Sequence, residues 1–117
     1  MAMAAKKMVG VPYRWGGTTP SGFDCSGLVY YAYLKVGLNV PRTTWAQYQG
    51  VKRVYPADLR VGDLLFFRLS GRRVSHVGIY LGHNQFVHAP STGSRVSYAR
   101  LTMPFWRQRF IGAGRLY

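Results

Sequence analysis

The sequence contains no glutamate and only three aspartates, Asp24, Asp58 and Asp63, against sixteen lysines and arginines, a formal charge of +13. Such a field draws in polyanions, whether nucleic acid, anionic lipid headgroups or an anionic polymer such as cell wall. The cations are scattered (Lys52, Arg53, Arg72, Arg73, Arg95, Arg100, Arg107, Arg109, Arg115) and form no tail, so charge defines a class of partner and not an identity. Asp58 and Asp63 lie among turn formers and are assigned no chemistry. A single cysteine, Cys25, excludes an internal disulfide and leaves the redox compartment open. No apolar run approaches the length of a membrane span. The opening Met1–Lys7 has no hydrophobic signal core, as expected of a cytoplasmic protein or of a mature or excised domain. Repeats, low-complexity tracts and linkers are also missing. With 117 residues, 48% of them apolar, the chain is expected to form one domain, 1–117, with a core of its own.

The rest is organised around Tyr13–Val29. Up to Asp24 this stretch is turn chemistry: paired glycines, Pro20, then Ser21-Gly22. From Cys25 the apolar residues Leu28, Val29, Ala32 and Val36 recur at helical spacing, and Gly37 stops the run. Asp24 is the candidate N-cap, its carboxylate accepting first-turn N–H groups. Cys25 therefore starts a helix, at the positive end of its dipole, which favours thiolate. The Asp24 charge opposes this, so a partner base is needed. Cys25 reads as a catalytic nucleophile; the bland alternative is a small buried residue.

Residues 2–9 read as a short helix ending at Gly10, and about 25–36 as the main helix. Thr43 or Thr44 caps a short helix carrying Trp45, Ala46 and Tyr48. Leu64–Arg68 reads as a buried strand and Val74–Leu81 as an alternating one, with His76, Gly78 and Tyr80 on one face. Gly82-His83-Asn84 is a turn. Strands are expected over Gln85–Ala89, Arg95–Leu101 and Phe105–Gly112. Helices followed by an antiparallel meander make an α+β pattern.

Of three histidines, His83 lies in the turn and reads as exposed, leaving His76 and His88 on the two arms. A three-residue loop closing Leu81 on Gln85 puts His88 opposite Gly78 with His76 on the diagonal, Gly78 leaving open space between them. A two-residue turn at His83-Asn84 puts the histidines on opposite faces unless a bulge intervenes. If they meet, His76 is the general base and His88 orients its ring. The alternatives are two core histidines bonded to backbone, or a zinc site of Cys25, His76 and His88, which no CxxC or HxxxH pair supports. The aromatics read as core and rim rather than as a platform for bases.

These segments resemble the NlpC-type cysteine peptidases of bacterial cell walls. The match runs through Tyr13–Gly17, Gly22–Val29, Pro41–Thr44 with Gln47, Val61–Phe67, Ser75–Tyr80 and Phe86–Ala89. The resemblance implies a papain-like α+β fold and a Cys25–His76–His88 triad. The implied reaction, which needs no metal or organic cofactor, hydrolyses peptidoglycan stem peptides, typically between γ-D-glutamate and diaminopimelate. It gives Tyr13 an oxyanion role, places Asp24, Ser26 and Ser75 along the cleft, and suits Arg42 to a stem-peptide carboxylate. It also implies a cell-envelope location, periplasmic or secreted, with the positive charge dwelling on anionic wall. Rival readings are acyl transfer or amide hydrolysis on another substrate by the same residues, or a basic module that binds wall polymer or nucleic acid.

Overall fold

Ala, Met and Lys favour helix at the start of the chain, and the computed structural model, which describes residues 1–117, begins with α1, Ala2–Lys6. This helix is shorter than expected. The chain turns over residues 7–10, because the Gly10 N–H is drawn to the Val96 carbonyl at 2.8 Å. The glycine turn holds a small hairpin that turn chemistry alone does not reveal, β1 (Thr18–Thr19) with β2 (Gly22–Phe23). Helix α2, Cys25–Leu34, ends where Gly37 takes φ +79° and Leu38 N–H closes on the Tyr33 carbonyl. Thr43 is the cap of α3, Thr44–Gly50, its hydroxyl accepting the Ala46 N–H at 3.2 Å.

The strands are β3 (Lys52–Val54), β4 (Leu64–Phe67), β5 (His76–Gly82), β6 (Gln85–His88), β7 (Ser97–Arg100) and β8 (Phe110–Arg115). They form one antiparallel sheet in the order β3-β8-β4-β5-β6-β7. The expected meander thus covers β4 to β7, while β8 returns to the far side of β4 and brings in β3, a strand that three polar and apolar residues do not announce. The strand expected over Phe105–Gly112 is a correction. Pro104 occupies the first turn of a helix, α4 (Pro104–Arg109), and extended pairing starts only at Phe110. What overrides strand propensity there is Trp106, which packs on Phe67 and Phe86.

Both faces of the sheet are covered, which is why all four residues of β4 are buried. Leu64, Phe66, Val77, Ile79 and Val87 face α2 with Leu28, Val29 and Ala32. Leu65, Phe67, Tyr80, Phe86 and Ala113 face the other way, beneath Trp106.

The β5–β6 hairpin settles the register question with an outcome that combines the two alternatives. His83 (φ 53°) and Asn84 (φ 64°) form a two-residue turn of the left-handed kind. A bulge between Tyr80 and Gly82 then restores Tyr80↔Phe86 and Ile79↔Val87, and continuing that register sets His88 across from Gly78. Gly78 does not leave open space. A Cβ there would lie 2.7 Å from the Phe86 ring, which fills it.

Candidate active site

Asp24 has extended backbone (φ −90°, ψ 178°) and caps α2, its Oδ1 accepting the Gly27 N–H at 2.6 Å. Oδ1 also accepts from the Ser26 hydroxyl at 3.4 Å, and Oδ2 accepts the Gly16 N–H at 3.0 Å. Arg42 completes the cluster, donating Nη2 to Asp24 Oδ2 and Nη1 to Ser26 Oγ, both at 2.9 Å. Arg42 is thus not a bare surface cation: two of its donors are spent on the cap, and its side chain stays partly exposed.

At the head of the same helix Cys25 is half-buried, with Sγ 3.4 Å from Thr44 Oγ1 and 4.0 Å from the Ser75 carbonyl oxygen. Burial pushes its thiol above the ordinary range, and the Asp24 charge adds to this; bonds from Thr44 and from the backbone of Val77 and Ser26 pull the other way. Desolvation of the sulfur thus works against the thiolate that the helix start favours.

His76 opens β5 and His88 closes β6, and His76 Nε2 lies 2.7 Å from His88 Nδ1. Trp106 roofs the pair, stacked on His76 at 26° and edge-on to His88 at 88°. Burial lowers His76 to about 3, with His88 as the second cause, and lowers His88 to about 4. Both rings are therefore neutral near pH 7. No hydrogen bond joins either ring to Cys25. Instead, Sγ rests against the backbone of Ser75 and Val77, the residues flanking His76.

This burial has a pH signature. Unfolded histidine takes up a proton as pH falls below about 6.5, whereas the folded pair resists until about 3 to 4, so stability is complete above pH 6.5 and declines below it. Each ring contributes at most about 2 kcal/mol of loss by pH 5. Urea midpoints at pH 7.5 and 5.0 check this, and His88→Gln is expected to cut the difference by about half, leaving the share of His76. An equal acid loss in that variant would contradict the account.

The cleft around Cys25, of about 500 Å³, is lined by Tyr13, Trp15, Asp24, Ser26, Arg42 and Thr44, with Ser75 closing one side. Trp15 is 86% exposed and forms its rim. Burial, then Cys25 and Asp24, raise the Tyr13 hydroxyl pKa, with Arg42 opposing, so Tyr13 stays a protonated donor. Ser75 turns its hydroxyl to the Leu69 N–H at 2.9 Å and presents its carbonyl to the sulfur. A slightly larger hollow, about 560 Å³ between Met1, Tyr33, Arg60 and Tyr117, contains none of these residues, so size does not locate the site. No three His, Cys, Asp or Glu side chains converge as metal ligands would, and the set Cys25–His76–His88 is not assembled as one. The sequence assigned Thr44 only the role of an alternative cap for α3, and Trp106 none. A second threonine after the cap was the signal for Thr44; nothing marked Trp106 as the roof.

Comparisons with known proteins agree with this architecture. The family model described as "NlpC/P60 family" matches residues 10–115. The chain is 47% identical over 116 residues to the "probable endopeptidase YafL" of Escherichia coli K12, covering 95% of this chain and 47% of that protein. It is 42% identical over 115 residues to the murein DD-endopeptidase MepH of the same strain, covering 94% and 42%. An NlpC/P60 family protein from Bacillus cereus ATCC 10987 superposes with a TM-score of 0.91 at 32% identity, over 99% of this chain and 40% of that one. The chain thus spans about half the length of the curated relatives it matches, and the fold is the papain-like α+β arrangement of that structure. On these matches the chain belongs to the NlpC/P60 family.

Proposed function

We propose that residues 1–117 form one cysteine peptidase domain that hydrolyses the stem peptides of peptidoglycan in the cell envelope. The observation that carries the chemistry is the buried 2.7 Å bond between His76 Nε2 and His88 Nδ1 on the strand that borders Cys25. When His76 Nε2–H donates to His88, the His76 ring keeps a free lone pair on Nδ1, which is the tautomer a general base needs. His76 takes the thiol proton as Cys25 Sγ attacks the carbonyl, so the pair passes from neutral to charged only during reaction. The Tyr13 hydroxyl donates to the oxyanion. His76 then returns the proton to the leaving amine, and an acyl-enzyme remains on Cys25. Water, deprotonated by His76, releases the acid. Asp24, Ser26 and Ser75 shape the cleft, and Arg42 offers its remaining donors to a substrate carboxylate.

Charge supports retention on anionic wall polymer. Asp24 is paired with Arg42 and Asp63 with Arg115, which leaves Asp58 as the one carboxylate without a cationic partner. Of the other fourteen lysines and arginines (sixteen less Arg42 and Arg115), none pairs with a carboxylate; thirteen are exposed and Arg109 is half-buried. Their field attracts a polyanion over roughly a Debye length, about 8–10 Å at physiological salt.

The bond is proposed to be γ-D-glutamyl–diaminopimelate, whereas MepH is named for a DD bond. Mass spectrometry of purified muropeptides after incubation at neutral pH separates these. A stem cut after γ-D-glutamate is the expected product. A DD cut reassigns the bond, and intact stems at all incubation times overturn the hydrolase.

A further inference from the structure

We propose that Thr44 is a further catalytic residue, its hydroxyl, 3.4 Å from Cys25 Sγ, donating to the thiolate as the thiol loses its proton. The inference rests on Cys25 being the nucleophile. Thr43, not Thr44, caps α3, so the Thr44 hydroxyl is not spent on the helix. It bonds no other protein group than the sulfur. One turn further along the same face, Gln47 is fully buried and donates Nε2 to the Ser26 carbonyl at 3.1 Å and the Pro41 carbonyl at 2.9 Å. That amide pins α3 to the first turn of α2 and so fixes the distance between Thr44 and Cys25.

A hydroxyl suits both states of the sulfur. It accepts from the neutral S–H, and after a rotation about its C–O bond it donates to S⁻. The proton itself goes to His76; Thr44 gives up none. Donation to an anion is worth more than donation to a neutral group, so the bond strengthens as charge develops on the sulfur. This offsets the burial that disfavours the thiolate. The charged or titratable neighbours of the thiol are Asp24 at its cap, Arg42 before α3, Tyr13 in the glycine turn and His76 on β5. Substitution of Thr44 leaves all four in place.

Because Cys25 is the only cysteine, alkylation by iodoacetamide, followed by intact mass from pH 5 to 10, reads this thiol alone. The full chain is compared with Thr44→Val, which keeps the shape, and with Thr44→Ser, which keeps the hydroxyl. Thr44→Val is expected to react about tenfold more slowly at pH 7, with its midpoint moved upward. Thr44→Ser is expected to retain rate and midpoint within about twofold. A wild-type profile in Thr44→Val overturns the proposal, as does a lowered melting temperature in both variants with no change in profile. Thr44→Ala replaces Thr44→Val in the same comparison if valine does not fold. Alkylation uses no wall peptide, so its outcome stands apart from whether stems are cleaved.

Discussion

On the proposed function, Cys25→Ala is expected to lower stem-peptide turnover by at least about 10⁴-fold while leaving the protein folded. The sulfur is half-buried and makes only two long contacts, at 3.4 and 4.0 Å, so its removal changes stability by less than about 1 kcal/mol. Asp24 still caps α2 and Arg42 still holds Asp24, because neither bond involves the thiol. His76→Ala is expected to lose a comparable factor, since the other base at the cleft, Asp24, is held by the Gly27 N–H and Arg42. The double variant falls no further than either single one, because nucleophile and base act in one step. Measured kcat on muropeptides, with melting temperature alongside, decides the matter. Residual turnover above about 1% of wild type in Cys25→Ala would remove the sulfur from the reaction.

Gly27→Ala has the largest expected effect on stability. Alanine is the better helix former by about 1 kcal/mol, and propensity alone favours the change. Space forbids it. A Cβ on Gly27 would lie 1.9 Å from the Gly17 carbonyl oxygen and 2.8 Å from Asp24 Oδ1. Neither can yield cheaply, because Gly17 O also accepts the Asp24 N–H at 3.2 Å and Oδ1 is the cap of α2. The expected loss is about 3–5 kcal/mol, or roughly 15 °C in melting temperature, together with reduced turnover as the glycine turn moves away from Cys25. Gly37→Ala is the control: nothing lies within 4 Å, and only its φ of +79° is strained, at about 1–2 kcal/mol. Equal losses at the two positions would refute the close approach at Gly27.

What was legible in the sequence is what local chemistry dictates. The Asp24 cap, the Cys25 helix start, the Gly37 stop and the buried run Leu64–Phe67 each follow from a few neighbouring residues, and the structure has all four. The hairpin was legible only as a choice, since a bulge at Leu81 has no signature of its own. Helix α4 was missed because Phe105-Trp106 carries strand propensity, whereas its conformation is set by burial on rings distant in sequence. The pairing of Arg42 with Asp24 spans 18 residues and depends on how the loop before α3 returns to α2. No periodicity encodes such a contact. The depressed basicity of His76 likewise needs Trp106 in place, so it appears only in three dimensions.

The sheet has two free margins, since β3 pairs only with β8 and β7 only with β6. One margin bears exposed Lys52 and Arg53, and the other bears exposed Arg100. Two molecules aligning margin to margin would set cation against cation while seeking backbone partners. That repulsion works against edge-to-edge zipping of copies into fibres, however densely the molecules are crowded.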